Sequence, residues 1–226
     1  MVELLVVAVI IIVLASIVLM VTRSTRQSAW AAMSTASLRQ CATAVHAFVQ
    51  DHGHFPEAWD FDGGGPWSWQ IRDNVGDGDA ASWPPDLFLH PRHGKFERAR
   101  ISESGRRNLT HYAASCTVLQ DNKAGDPNEW KKLIRPLEPR EPSRLIMLGD
   151  APLKKTGKIA GGCHSGWWSL RFDAVSGNPN LPVSRRPLMD AVDFWYKGRA
   201  HFVFTDGHVQ LLKPDEIKRR YFQLKP

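Results

Sequence analysis

Cysteine is scarce in this chain: three residues in 226, Cys41, Cys116 and Cys163, with no CxxC spacing. That excludes a zinc ribbon and a disulfide-dense scaffold. In an oxidising compartment Cys116 and Cys163 are one pair able to bridge, leaving Cys41 free. Spacing alone does not fix the connectivity. Catalytic motifs are missing as well. Nine histidines are present, among them His90, His93, His111, His164, His201 and His208, yet no HExxH occurs. Ser165, in His164-Ser165-Gly166, lacks the Gly-x-Ser-x-Gly frame of a nucleophile elbow. No nucleophile stands in an activating setting, so an enzyme is not expected. Lys and Arg number 29 against 23 acids, a net charge of +6, but they are scattered. A scattered basic surplus reads as a solvated surface, and no nucleic-acid partner is expected.

Two further absences shape the N-terminus. Residues Leu4–Val21 carry no charge, and the first 52 residues contain neither Pro nor Gly. Eighteen apolar or small residues in a helix cover about 27 Å, close to the hydrocarbon thickness of a bilayer. A cleaved secretory signal needs a basic segment before the apolar run and a small-x-small cleavage site. No Lys or Arg precedes this run, and Ala15-Ser16-Ile17 is flanked by apolar residues on both sides. The expectation is a single membrane-spanning segment, residues 1–22, in contact with lipid. Glu3 is its anomaly, because a carboxylate at the edge of lipid usually has a partner. It is either solvated among headgroups or neutralises a positive charge on a neighbouring subunit.

Helical periodicity continues beyond the apolar run. Leu38, Cys41, Val45, Phe48 and His52 recur at three-to-four spacing, with Ala42 and Val49 beside them. Gly53 is a natural C-terminal stop and Pro56 prevents resumption. One helix of about 50 residues is therefore expected. Its second half, residues 23–53, is apolar on one face and should dock on a sheet of the same chain.

Residues 54–226 read as a globular, β-rich domain with long loops. Asp206-Gly207 between Phe202-Val203-Phe204-Thr205 and His208-Val209-Gln210-Leu211-Leu212 predicts a hairpin with a type I′ turn. Leu145-Ile146-Met147-Leu148 predicts a short buried strand ended by Gly149, and Lys213-Pro214-Asp215-Glu216 predicts a helical turn. The fold class is thus α+β, a long helix on a small antiparallel sheet. The stretch from Trp59 to Pro91 is rich in Trp, Gly and Asp. Asp73, Asp77 and Asp79 offer oxygen ligands but lack the alternating acids of a calcium hand. Calcium is accordingly a weak candidate, and otherwise no cofactor is expected. The tryptophans suit core packing first and sugar or partner contact second.

This layout resembles the type IV pilin and type II secretion pseudopilin family. Met1-Val2-Glu3-Leu4-Leu5-Val6-Val7-Ala8-Val9-Ile10-Ile11 is similar to the family's processing segment from its Leu-Val-Glu onward. The basic leader and Gly-Phe pair do not precede it, so Met1 is expected to be internal to a longer reading frame or the start of a shortened chain. A more specific resemblance is to the branch whose C-terminal segment is called H-X9-DG. Leu38-Arg39-Gln40 through Asp51-His52-Gly53-His54-Phe55-Pro56, His111-Tyr112-Ala113-Ala114, Pro142-Ser143-Arg144 through Asp150, and Gly198-Arg199-Ala200-His201 through Asp206-Gly207-His208-Val209 carry it. Tyr196 stands where that branch has its histidine, and His201 where Asn is common.

The resemblance implies a pilin-like fold and a structural subunit of a pilus-like or pseudopilus filament. Leu4, Leu5, Val6, Val7, Val9, Ile10, Ile11, Ile12 and Leu14 would form the filament core. Glu3 would pair with a free amino group on an adjacent subunit. The implied partners are like subunits, an inner-membrane assembly platform and a prepilin peptidase, with the globular domain in the periplasm. Arg23 and Arg26 alone would favour a cytoplasmic C-terminus, which a basic leader would overrule. The alternative is a membrane-tethered carbohydrate- or metal-binding protein, or a hydrolase, that does not polymerise.

Overall fold

The computed structural model describes residues 2–60, 65–76, 85–90, 110–115, 118–119, 141–151, 167–168, 178–183 and 192–223. Its spine is α1, Val2–His52, an unbroken helix of 51 residues. No residue in it removes a backbone donor or loosens the backbone, which is why it runs without a kink signal for so long. It stops where expected. Gly53 takes the left-handed conformation, φ +76°, and its N–H donates to the Val49 carbonyl at 2.8 Å. A side chain at that φ would be strained, so glycine makes a clean stop.

The chain then forms a two-residue ladder, β1 (Trp59–Asp60) with β2 (Gly65–Pro66), and a single helical turn, α2 (Trp67–Gln70). The main sheet has five strands: β3 (Tyr112–Ser115), β4 (Ile146–Asp150), β5 (Trp167–Trp168), β6 (Ala200–Phe204) and β7 (Val209–Leu212). Their spatial order is β5-β3-β4-β6-β7. Four of them pair antiparallel, while the two-residue edge strand β5 lies parallel to β3. The protein is thus α+β, a long helix packed on a small, mainly antiparallel sheet.

Strands β3, β4 and β6 are buried along their whole length because both faces are covered. On one face α1 lays Leu38, Cys41, Val45, Phe48 and Val49 against Tyr112, Ala114, Met147, Leu148 and Val203. On the other, Val183, Val192, Ile217 and Phe222 cover Ala113, Ile146, Ala200, Phe202 and Phe204. Each fully buried Leu, Val or Phe contributes about 1.5–3 kcal/mol, so the docked half of the helix is firmly held. A β-bulge between Ile146 and Leu148 lets the consecutive residues Met147 and Leu148 both join the core under α1.

Several local expectations are corrected. The strand predicted to end at Gly149 continues through it to Asp150, because Gly149 still pairs with Ala113 and Phe202. His52 is exposed at the helix end, its ring stacked on Phe48 at 3.9 Å. Docking begins at Ala31; every described residue from Val2 to Ala29 is exposed. The helical turn expected at Lys213-Pro214-Asp215-Glu216 is present as a 3-10 turn, Pro214–Glu216, in which the Lys213 N–H donates to Glu216 Oε2 at 2.8 Å.

Candidate functional site

The first candidate is the free half of α1. Leu4, Leu5, Val6, Val7, Val9, Ile10, Ile11, Ile12 and Leu14 are each at least half exposed, from 52 to 76%. None of the 18-residue window that is apolar enough to cross a membrane is buried inside the molecule. Three hydroxyls along this stretch are satisfied locally, as a helix in lipid requires. Ser16 donates to the Val13 carbonyl at 2.7 Å, Thr22 to Val18 at 2.7 Å and Thr25 to Val21 at 2.9 Å. By length and composition α1 suits a membrane span or a signal helix. Glu3 sits exposed in its first turn, where a carboxylate favours the helix dipole.

The second candidate is a buried polar network where α1 first meets the sheet. Asp150, the last residue of β4, is its centre and is 1% exposed. Oδ1 accepts the Ser34 hydroxyl at 3.0 Å. Oδ2 accepts the Trp195 indole N–H, the His201 backbone N–H and His201 Nδ1, each at 2.8 Å. A carboxylate only accepts, so the His201 proton lies on Nδ1. The Tyr112 hydroxyl donates in turn to Ser34 Oγ at 3.4 Å. Burial, with the charge of Asp150 behind it, pushes the Tyr112 phenol well above its ordinary range. His90 packs its ring edge-on against Trp195 at 4.4 Å, and its backbone N–H donates to His111 Nδ1 at 2.6 Å.

Ser34, Asp150 and His201 are the residue types of a hydrolytic triad, but their order is wrong for one. The hydroxyl donates to the carboxylate rather than to the imidazole, so the histidine cannot take its proton. What the arrangement does is clamp the helix to β3, β4 and β6 through fully satisfied oxygens of one carboxylate. Among the described residues, His201 Nε2 is buried without a hydrogen-bond partner. Cys41 lies on the same helix face, free and buried; burial pushes its thiol far up, which keeps it unreactive.

Sequence reasoning missed this network. Its signal was present in part: Ser34 precedes Leu38, Cys41 and Val45 at helical spacing, and Asp150 closes an otherwise apolar run. Nothing local indicated that the two would meet.

The remaining site predictions fall as follows. Asp206 and Gly207 do connect β6 to β7. Only Gly207 has positive φ, +87°, and its N–H donates to the Phe204 carbonyl at 2.8 Å. That geometry is a three-residue loop with glycine at the left-handed position, which replaces the expected type I′ turn. Asp206 serves its own turn, its Oδ1 accepting from the His208 N–H at 3.1 Å and from His208 Nδ1 at 2.6 Å. Asp73 is exposed in the 3-10 turn Arg72–Val75, with Arg72 Nε at 3.6 Å. Asp77, Asp79, Cys116 and Cys163 lie outside the described residues. Among the described residues no three His, Cys, Asp or Glu side chains converge as a metal site would need. Trp67 and Trp69 are buried in the core, so these two tryptophans pack rather than face a ligand.

A third feature lies at the far end of α1. Asp51, His52, His54, Gln70, Arg72 and Asp73 border an open cleft of about 500 Å³. Gln70 builds its wall by accepting the Glu57 N–H at 2.9 Å and donating to the Glu57 carbonyl at 2.8 Å.

No protein family, no curated protein and no solved structure matches this chain.

Proposed function

We propose that this protein is a structural subunit of a filament of the type IV pilus-like or type II secretion pseudopilus kind, held in the inner membrane through α1 before assembly. One observation carries the reading. A helix exposed and apolar over its first half continues without a break into a half docked on its own sheet. A folded domain rigidly joined to a greasy rod suits transfer of that rod from lipid into a bundle of identical rods. The apolar surroundings change little on transfer; packing and charge compensation supply the order. Glu3 is the group whose charge needs compensation.

In this reading the globular domain is extracytoplasmic and the chain catalyses nothing. Its partners are copies or relatives of itself, the assembly platform, the prepilin peptidase and membrane lipid. Calcium has no part in it.

The test is assembly. Expressed in bacterial membranes with an assembly system, the full chain should yield filaments that shear off, pellet and show its antigen by electron microscopy. Glu3→Leu should insert into membrane as before and lose the filaments. Wild-type protein that stays strictly monomeric under crosslinking overturns the reading. The cleft beside His52 and His54 favours one second reading, a tethered binding module. A chain beginning at Ser28 would then keep full binding of carbohydrate or metal ions, and a screen of both without a hit removes it.

A further inference from the structure

The helix carries an unbalanced set of charges. In its first 38 residues the only ionic side chains are Glu3 at one end and Arg23 and Arg26 beyond the apolar run. All three are exposed, and among the described residues none forms an ion pair. Arg26 rests on the half-buried Trp30 ring, 5.6 Å from its centroid, which holds the guanidinium at the helix surface. Glu3 cannot reach either arginine within one molecule. The separations of 20 and 23 residues correspond to about 30 and 35 Å of helix.

The face of α1 turned away from the sheet is also unusual. Between Arg26 and Asp51 the only acidic or basic (Lys or Arg) residue is Arg39. Exposed Ala29, Ala32, Met33, Ala36, Gln40 and Thr43 lie along that side with Arg39 as its one charge, where a solvent-facing surface normally carries several. Such a surface accepts another helix at short distance.

We propose that this face receives the apolar run of a second copy, displaced by 20–23 residues, so that Glu3 of that copy lies between Arg23 and Arg26 of the first, in place of the amino-group pairing that the resemblance implies. The inference rests on the filament reading and specifies its register. The lengths agree: with Glu3 level with Arg23 or Arg26, the run Leu4–Val21 spans levels 24–44, which contain this face and its single charge, Arg39. Two guanidiniums around one carboxylate give it charge-assisted hydrogen bonds as it leaves the headgroup region. The pairing belongs to successive subunits, so it is available only to a staggered, parallel assembly.

Charge reversal tests it. In the full chain, Glu3→Arg should lower filament yield at least about tenfold, a change equivalent to losing one strong contact. Adding Arg23→Glu and Arg26→Glu to that variant should restore yield to within about twofold of wild type. Membrane pelleting of each variant separates failed insertion from failed assembly. Where reversal prevents insertion, a mixture of chains bearing Glu3→Cys and chains bearing Arg26→Cys gives the second readout. Oxidation should yield a disulfide-linked dimer of the two, and Arg39→Cys in place of Arg26→Cys should not. Wild-type protein that remains monomeric overturns the filament reading itself. Wild-type filaments with neither rescue nor crosslink overturn this register alone.

Discussion

The two halves of α1 have the same backbone and opposite fates. Residues from Ala31 to Val49 put nine side chains into the core, while those from Val2 to Ala29 put in none. The free half is the more hydrophobic of the two. Hydrophobicity therefore does not by itself bury a segment in its own domain; burial requires a complementary face within reach. The docked half meets a sheet shaped by a β-bulge and a polar clamp at Asp150. The free half extends past the sheet's edge, and its surface is left for lipid or for other helices.

The sharpest way to break that contrast is at the clamp. Asp150→Ala strands the Trp195 indole, the His201 N–H and the Ser34 hydroxyl, and should cost about 3–5 kcal/mol. Denaturant unfolding of the detergent-solubilised chain measures it; membrane insertion should be unaffected. The complementary change is Val9→Asp, which should penalise insertion by about 3 kcal/mol while leaving unfolding of the domain unchanged. Resistance of the protein to alkaline extraction from membranes is the readout.

A smaller effect comes from pH. The Tyr112 phenol and the Cys41 thiol keep their protons in the native protein at pH values where the unfolded chain has lost them, because burial raises both. Stability should therefore hold up to about pH 9 and fall above it, by about 1.4 kcal/mol per pH unit for each group ionised in the unfolded chain. Tyr112→Phe should lessen the slope above pH 10 by one proton. Smallest is Gly207→Ala, which places a side chain at φ +87° in an open turn and should cost about 1–2 kcal/mol in the same unfolding assay.

Much of the architecture was legible in local pattern. The absence of Pro and Gly, the spacing of Leu38, Cys41, Val45 and Phe48, and the stop at Gly53 all read correctly because each depends on near neighbours in the chain. The hairpin between β6 and β7 was legible for the same reason. Its turn type was not, since Asp206 keeps negative φ and a third loop residue, Thr205, enters the connection. Composition turns polar at Arg23, whereas contact starts where the sheet does, at Ala31.

The sequence by itself determined a helix of 51 residues whose first half no water-facing surface would choose, and its end at a glycine. Those are consequences of periodicity and backbone freedom, which act over a few residues. Tertiary structure alone decided that Ser34 would donate to Asp150, 116 residues away, and that Trp195 and His201 would complete the same carboxylate from 45 and 51 residues beyond it. That meeting requires β4 to pair with β6 and α1 to lie across both, and the desolvation of one carboxylate then leaves it no partners but these.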